Sequence, residues 1–203
     1  MIRRPLLQVE PSRTLLLLLD LQPAFLRQVR PNAEEVLAGA NESLRFARAL
    51  GIPTVAVRTE HSRDESTWAL NMREDKQGFA FAGTPEAQFA PELELDYSVT
   101  PFVKHRDSAF FATTLDALLL QLGTRQVLLG GLMGSSCIAH TARDAYARDL
   151  RVTLLREAIG DVSIRGRTQA LKSLESEFRQ PIRSTSDFAN GLQSFDIPSL
   201  IGR

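Results

Sequence analysis

The sequence predicts an α/β domain with a doubly wound sheet. Three observations support this: a continuous apolar run at residues 14–19, apolar residues at helical spacing over 32–50, and a second short strand at 54–57. An apolar run without alternation suits a central parallel strand covered on both faces. Within 32–50, Val36, Leu37, Leu44, Phe46, Ala47 and Leu50 recur at helical intervals, and Gly51 with Pro53 supplies the stop. Strand, helix and strand in that succession imply parallel neighbours joined by a right-handed crossover.

Residues 59–100 have weaker periodicity and several breakers (Gly78, Gly83, Pro85, Pro91), and read as an excursion that builds a pocket. Regular patterning resumes with a short strand at 101–104, a helix at 113–122 and a strong strand at 126–130. Residues 131–136 then turn into a helix running to about 149, followed by a strand at 151–155, a helix at 163–178 and a last short strand at 182–185. No repeat, low-complexity tract or linker interrupts the chain, so residues 1–203 are read as a single domain, long enough to bury one core unaided.

Lysine plus arginine (24) balances aspartate plus glutamate (24), so no net field favours nucleic acid or an anionic membrane, and a neutral small-molecule partner is expected. The single cysteine, Cys137, cannot form an internal disulfide, which points to a cytoplasmic protein. Met1 to Arg4 followed by a leucine run has the outline of a signal peptide. The run is too short, ends on Asp20 and lacks a small-residue cleavage site, so a buried strand is the expectation. No stretch is long enough to span a membrane.

In doubly wound sheets ligands bind beyond the carboxyl ends of the strands, where the strand order reverses. Asp20, Lys104 and Cys137 are far apart in the chain, yet each lies just past a predicted strand. Cys137 sits in the glycine-rich segment Gly130-Gly-Leu-Met-Gly-Ser-Ser-Cys137, which opens a helix. Helix dipole and a nearby ammonium are expected to lower its pKa from ~8.5 toward neutrality. The free N–H groups of such a turn can also form an oxyanion hole. A nucleophilic thiol needs a proton acceptor that can later protonate a leaving nitrogen, and Asp20 is the candidate. Lys104 is the cation between the two anions.

Plainer roles exist for each residue. A lone free cysteine is usually a small buried filler, an aspartate after a strand is often a cap, and a lysine is usually a solvated charge. The helix-opening position of Cys137 and the concurrence of all three argue for chemistry. His105 and His140 read as surface or supporting groups, and Phe25, Trp68, Phe110 and Phe111 suit core as well as pocket wall.

At these residues the sequence resembles the isochorismatase-like cysteine hydrolase superfamily, which includes nicotinamidases, N-carbamoylsarcosine amidohydrolases, ureidoacrylate-type hydrolases and isochorismatases. Four ordered blocks between about residues 12 and 190 carry the resemblance: Leu19-Asp-Leu-Gln-Pro-Ala-Phe25, Val103-Lys-His-Arg-Asp-Ser-Ala-Phe110, Gly130 to Asp144, and Arg156-Glu-Ala-Ile-Gly-Asp161 after the next strand. The resemblance implies an isochorismatase-like three-layer sandwich with a six-stranded parallel sheet and an Asp20, Lys104, Cys137 triad. It also implies a non-proline cis peptide between Leu132 and Met133, with oxyanion donors on the Met133 and Cys137 backbone. Phe25, His61, Trp68, Ser108 and Phe110 are the candidate substrate pocket, and a homodimer or homotetramer is implied.

Departures from the family patterns narrow the expectation. Nicotinamidases carry a metal-binding Asp-x-His pair and a further histidine after strand two. Here the stretch reads Thr59-Glu-His-Ser62, with no other histidine before His105, so no metal or organic cofactor is expected. Isochorismatases, which cleave a vinyl ether, lack the cysteine. Its presence favours hydrolysis of an amide or ureido/carbamoyl C–N bond through a thioester. The alternatives are isochorismatase-like ether hydrolysis with Cys137 as bystander, and a catalytically idle binding or scaffold subunit. The first strand lacks a G-x-G-x-x-G turn and there is no C-x-x-C, which disfavours dehydrogenase and thioredoxin readings.

Overall fold

The leucine-rich run Thr14–Leu19 (β1) is buried at all six residues because a strand pairs on each side and helices cover each face. In the computed structural model, which describes residues 9–187, the other strands are β2 (Thr54–Thr59), β3 (Val99–Lys104), β4 (Gln126–Gly131), β5 (Arg151–Ile159) and β6 (Ile182–Arg183). They form one six-stranded sheet, all parallel, in the order β3-β2-β1-β4-β5-β6. The helices are α1 (Pro23–Leu26), α2 (Ala33–Leu50), α3 (Leu70–Asp75), α4 (Leu115–Gln121), α5 (Ala139–Tyr146) and α6 (Ile164–Phe178). None among the described residues is long and apolar enough to cross a membrane.

Strand alternation divides β1 between two cores, which gives the three layers. Leu16 and Leu18 pack with Val36, Ala40 and Leu44 of α2. Leu15, Leu17 and Leu19 face Leu115 and Leu119 of α4, Ala142 of α5 and Leu171 of α6. Each buried leucine contributes about 1.5–3 kcal/mol, so this strand fixes the sheet's centre. α2 ends at Gly51, whose left-handed φ of 65° lets the Gly51 and Ile52 N–H groups return to Arg48 and Ala47.

Boundaries moved where tertiary contacts override local pattern. β3 begins earlier than expected and contains Pro101, which is tolerated because β3 is an edge strand. β5 continues to Ile159, so most of the 156–161 block lies within the strand rather than after it; its pairing with β4 shifts register between Leu129 and Gly131. The expected helix to residue 149 is a π-turn, Gly134–Ile138, followed by α5, which stops at Tyr146. The 182–185 strand is two residues long. The reading of Met1 to Arg4 falls outside the described residues.

The excursion between β2 and β3 is held by long-range polar contacts. The buried Gln22 amide donates to Thr59 O at 2.9 Å and Ala87 O at 2.8 Å, and accepts from Thr59 N at 2.8 Å. Asn41 on α2 donates to Glu92 O and accepts from Glu94 N, both at 2.9 Å. These bonds place the excursion over the carboxyl ends of the strands.

Candidate active site

Asp20 follows the central strand directly, with a left-handed φ of 57°, a region that aspartate enters more readily than most residues. Lys104 ends the strand two places away, and Thr59 ends the strand between them. Cys137 arrives from the other side of β1 through the turn after β4.

The three side chains meet. Lys104 Nζ lies 2.8 Å from Asp20 Oδ2 and 3.3 Å from Cys137 Sγ. It also donates to Thr59 Oγ1 at 2.8 Å and to Arg106 O at 3.1 Å. Thr59 Oγ1 in turn donates to Asp20 Oδ1 at 2.8 Å, so the hydroxyl ties ammonium to carboxylate. Asp20 and Lys104 are 0% and 1% exposed and Cys137 is 5% exposed, so this electrostatic network works away from bulk water. Asp20 Oδ2 has no hydrogen bond of good geometry among the described residues, which leaves lone pairs for a proton.

Burial opposes the Lys104 ammonium, but the Asp20 charge and the Cys137 sulfur outweigh it, so its pKa is raised and the cation persists. The thiol departs from expectation. Burial first, and the Asp20 charge second, push Cys137 up from 9.0 to about 12, with Lys104 pulling the other way. The turn explains why the helix start does not rescue it: the N–H groups of Ser136 and Ile138 are spent on Met133 O at 3.1 and 3.0 Å.

Asp161 fastens the same turn, accepting from Ser135 N at 2.6 Å, and Gly134 N donates to Gly160 O at 2.8 Å. The Leu132–Met133 peptide is cis. Gly131 (φ 121°) makes the turn possible, since a Cβ there would stand 2.0 Å from Leu19 O.

A cavity of about 780 Å³ opens over Cys137, and Phe25, His61, Ser108 and Met133 line it. Trp68 and Phe110, the other two expected pocket residues, do not. Trp68 is buried against Phe81 with its indole N–H on Ser62 O at 2.8 Å, and Phe110 sits in the α4, α5 core beneath Arg148. Their apolar bulk is better satisfied there than at a wet surface. Ser108 Oγ donates to Asp144 Oδ2. His61 packs edge-on to Phe79, its Nδ1 is 3.1 Å from Thr67 O, and burial lowers its pKa to about 4. Among the described residues, no three His, Cys, Asp or Glu side chains gather as a metal site would require.

Sequence reasoning assigned no role to Thr59, Gln22, Asp107 or Asp161. Thr59 carried the same mark as Asp20 and Lys104, a polar residue at a strand end. The others depend on contacts that no local pattern encodes.

Residues 14–186 match the isochorismatase domain. The chain belongs to the isochorismatase family. This family member is 29% identical over 171 residues to enterobactin synthase component B of Escherichia coli (strain K12), a match covering 82% of this chain and 58% of that protein. The chain thus spans little more than half the length of that relative. It is 31% identical over 159 residues to a probable inactive nicotinamidase of Arabidopsis thaliana, covering 71% of this chain and 79% of the other. Its fold is that of an isochorismatase family protein from Desulfovibrio vulgaris, with a TM-score of 0.78, 26% identity, and 89% and 98% of the two chains covered.

Proposed function

We propose that this isochorismatase-family hydrolase cleaves an amide or ureido/carbamoyl C–N bond of a small molecule through a thioester on Cys137. The observation that carries this reading is the Cys137 thiol on a cavity floor, 3.3 Å from an ammonium that is itself 2.8 Å from a fully buried carboxylate. A thiol whose pKa is raised needs a base nearby, and Asp20 is that base. As Asp20 takes the proton, Lys104 stabilises the developing thiolate, which attacks the carbonyl carbon. The Met133 and Cys137 amides hold the oxyanion; one such donor is worth ~10²–10³ in rate. Collapse of the tetrahedral species breaks the C–N bond, and Asp20 returns its proton to the leaving nitrogen. Water then hydrolyses the thioester. No step calls on a metal or organic cofactor. The lone thiol favours a reducing, cytoplasmic setting, and a homodimer or homotetramer goes with the family resemblance.

A screen of small amides, ureido acids and carbamoyl compounds for ammonia release tests the reading. Activity should vanish in Cys137→Ala while the fold persists; undiminished turnover in that variant would overturn the assignment. A second reading, ether hydrolysis with Cys137 as bystander or an idle binding subunit, draws support from the raised thiol pKa and the probable inactive relative. Ether hydrolysis would survive alkylation of the thiol by iodoacetamide, and an idle subunit would turn over nothing in the screen.

A further inference from the structure

The buried acid does not reach the cavity: Asp20 is 0% exposed and is not among the lining residues, whereas Cys137 and Lys104 both line it. On the cavity wall a second carboxylate stands against the sulfur: Asp107 Oδ1 is 3.8 Å from Cys137 Sγ. Its side chain is 57% exposed, so it borders both sulfur and water. Its other oxygen is 3.7 Å from His140 Nδ1, and that nitrogen lies 2.9 Å from Ser136 O in the nucleophile's own turn. Among the described residues Asp107 forms no ion pair with a lysine or arginine, so its charge is not neutralised elsewhere.

We propose that Asp107 is a second catalytic residue, the base for the water that hydrolyses the acyl-enzyme, with His140 positioning it. This rests on the thioester reading above. Once the amine has left, Asp20 is again a buried carboxylate, and the acyl group lies in the cavity. Water enters from the cavity and its oxygen attacks the thioester carbon while Asp107 takes one proton. The C–S bond breaks with its electron pair going to sulfur. Asp107 returns the proton to that sulfur, and the carboxylic acid product ionises into solvent. Acylation and deacylation thus use two different carboxylates, one buried and one on the cavity wall.

p-Nitrophenyl acetate separates the two half-reactions, since nitrophenolate release reports acylation and the mass of the intact protein reports acetyl-enzyme. In Asp107→Asn and Asp107→Ala, nitrophenolate should appear in a burst of one equivalent, steady turnover should fall by ~10²-fold or more, and acetylated Cys137 should accumulate. Steady turnover at the wild-type rate, or a fall in turnover without accumulated acetyl-enzyme, overturns the role of Asp107 and leaves the thioester reading standing. If wild-type turnover instead equals that of Cys137→Ala and no adduct forms in any variant, the thioester reading falls and takes this proposal with it.

Discussion

The Lys104 ammonium and the Asp20 carboxylate are 2.8 Å apart in a pocket that excludes solvent from both, and they come from strands that are not neighbours. Thr59, on the strand between, bonds to each. The pair therefore holds the edge of the sheet together as well as serving the thiol.

Removing one member should expose the cost of stranding the other. Lys104→Met is expected to destabilise the protein by about 3–5 kcal/mol, because a buried carboxylate loses its counter-ion. Lys104→Met combined with Asp20→Asn should recover part of that loss. Urea denaturation of the two variants checks this; equal or additive losses would show that the charges are not coupled.

The thiol should behave as a weak acid in the free enzyme. Iodoacetamide alkylation is expected to be slow at neutral pH and to rise with hydroxide toward about 12 without an earlier plateau. Asp20→Asn, which removes the carboxylate charge that raises the thiol, should bring the plateau to lower pH. The folded thiol holds its proton above the ordinary 9.0, so it adds no pH dependence to stability near neutrality. Stability should decline as pH rises from 9.0 toward about 12, where only the unfolded chain ionises. An alkylation plateau near pH 7 would contradict this.

His61 is the acid-side counterpart. Its pKa is lowered from 6.5 to about 4, so the unfolded chain binds a proton more readily than the folded one. The stability it supports is intact above pH 6.5 and lost as pH falls toward 4. His61→Asn keeps an N–H for Thr67 O but does not titrate, and should show a smaller stability difference between pH 7 and pH 4.5. Chemical denaturation at the two values is the measurement.

Gly131→Ala should be the most damaging single methyl. The added carbon would meet Leu19 O at 2.0 Å, backbone that cannot step aside, at a φ that alanine avoids. A loss of ~3 kcal/mol or more is expected, with soluble yield and melting temperature as readouts.

That Asp20, Lys104 and Cys137 come together was readable because each lies at or beyond the carboxyl end of a strand in a parallel sheet, and such sheets gather those ends on one edge. Gathering does not reveal electrostatics. Whether Cys137 is acidic depends on how deeply it sits and how close the Asp20 charge comes, and neither leaves a mark in the Gly130 to Asp144 segment. Trp68 and Phe110 show the same limit from another side, since an aromatic residue near a site fills a core or walls a pocket with equal ease. Asp107 lies inside a segment that the sequence singles out, yet only the folded turn brings it to the sulfur. Within residues 59–100 the determinants are bonds such as Gln22 to Ala87 O and Arg106 Nη1 to Thr67 O, which join parts of the chain with no shared periodicity.

Of the cavity's walls, His61, Met72 and Phe79 belong to the stretch between β2 and β3, whereas Asp20, Lys104 and Cys137 hang from the strands of the sheet and the turn after β4. Insertions and swaps in that stretch therefore recast one side of the hollow and leave the sheet that carries these three residues as it is.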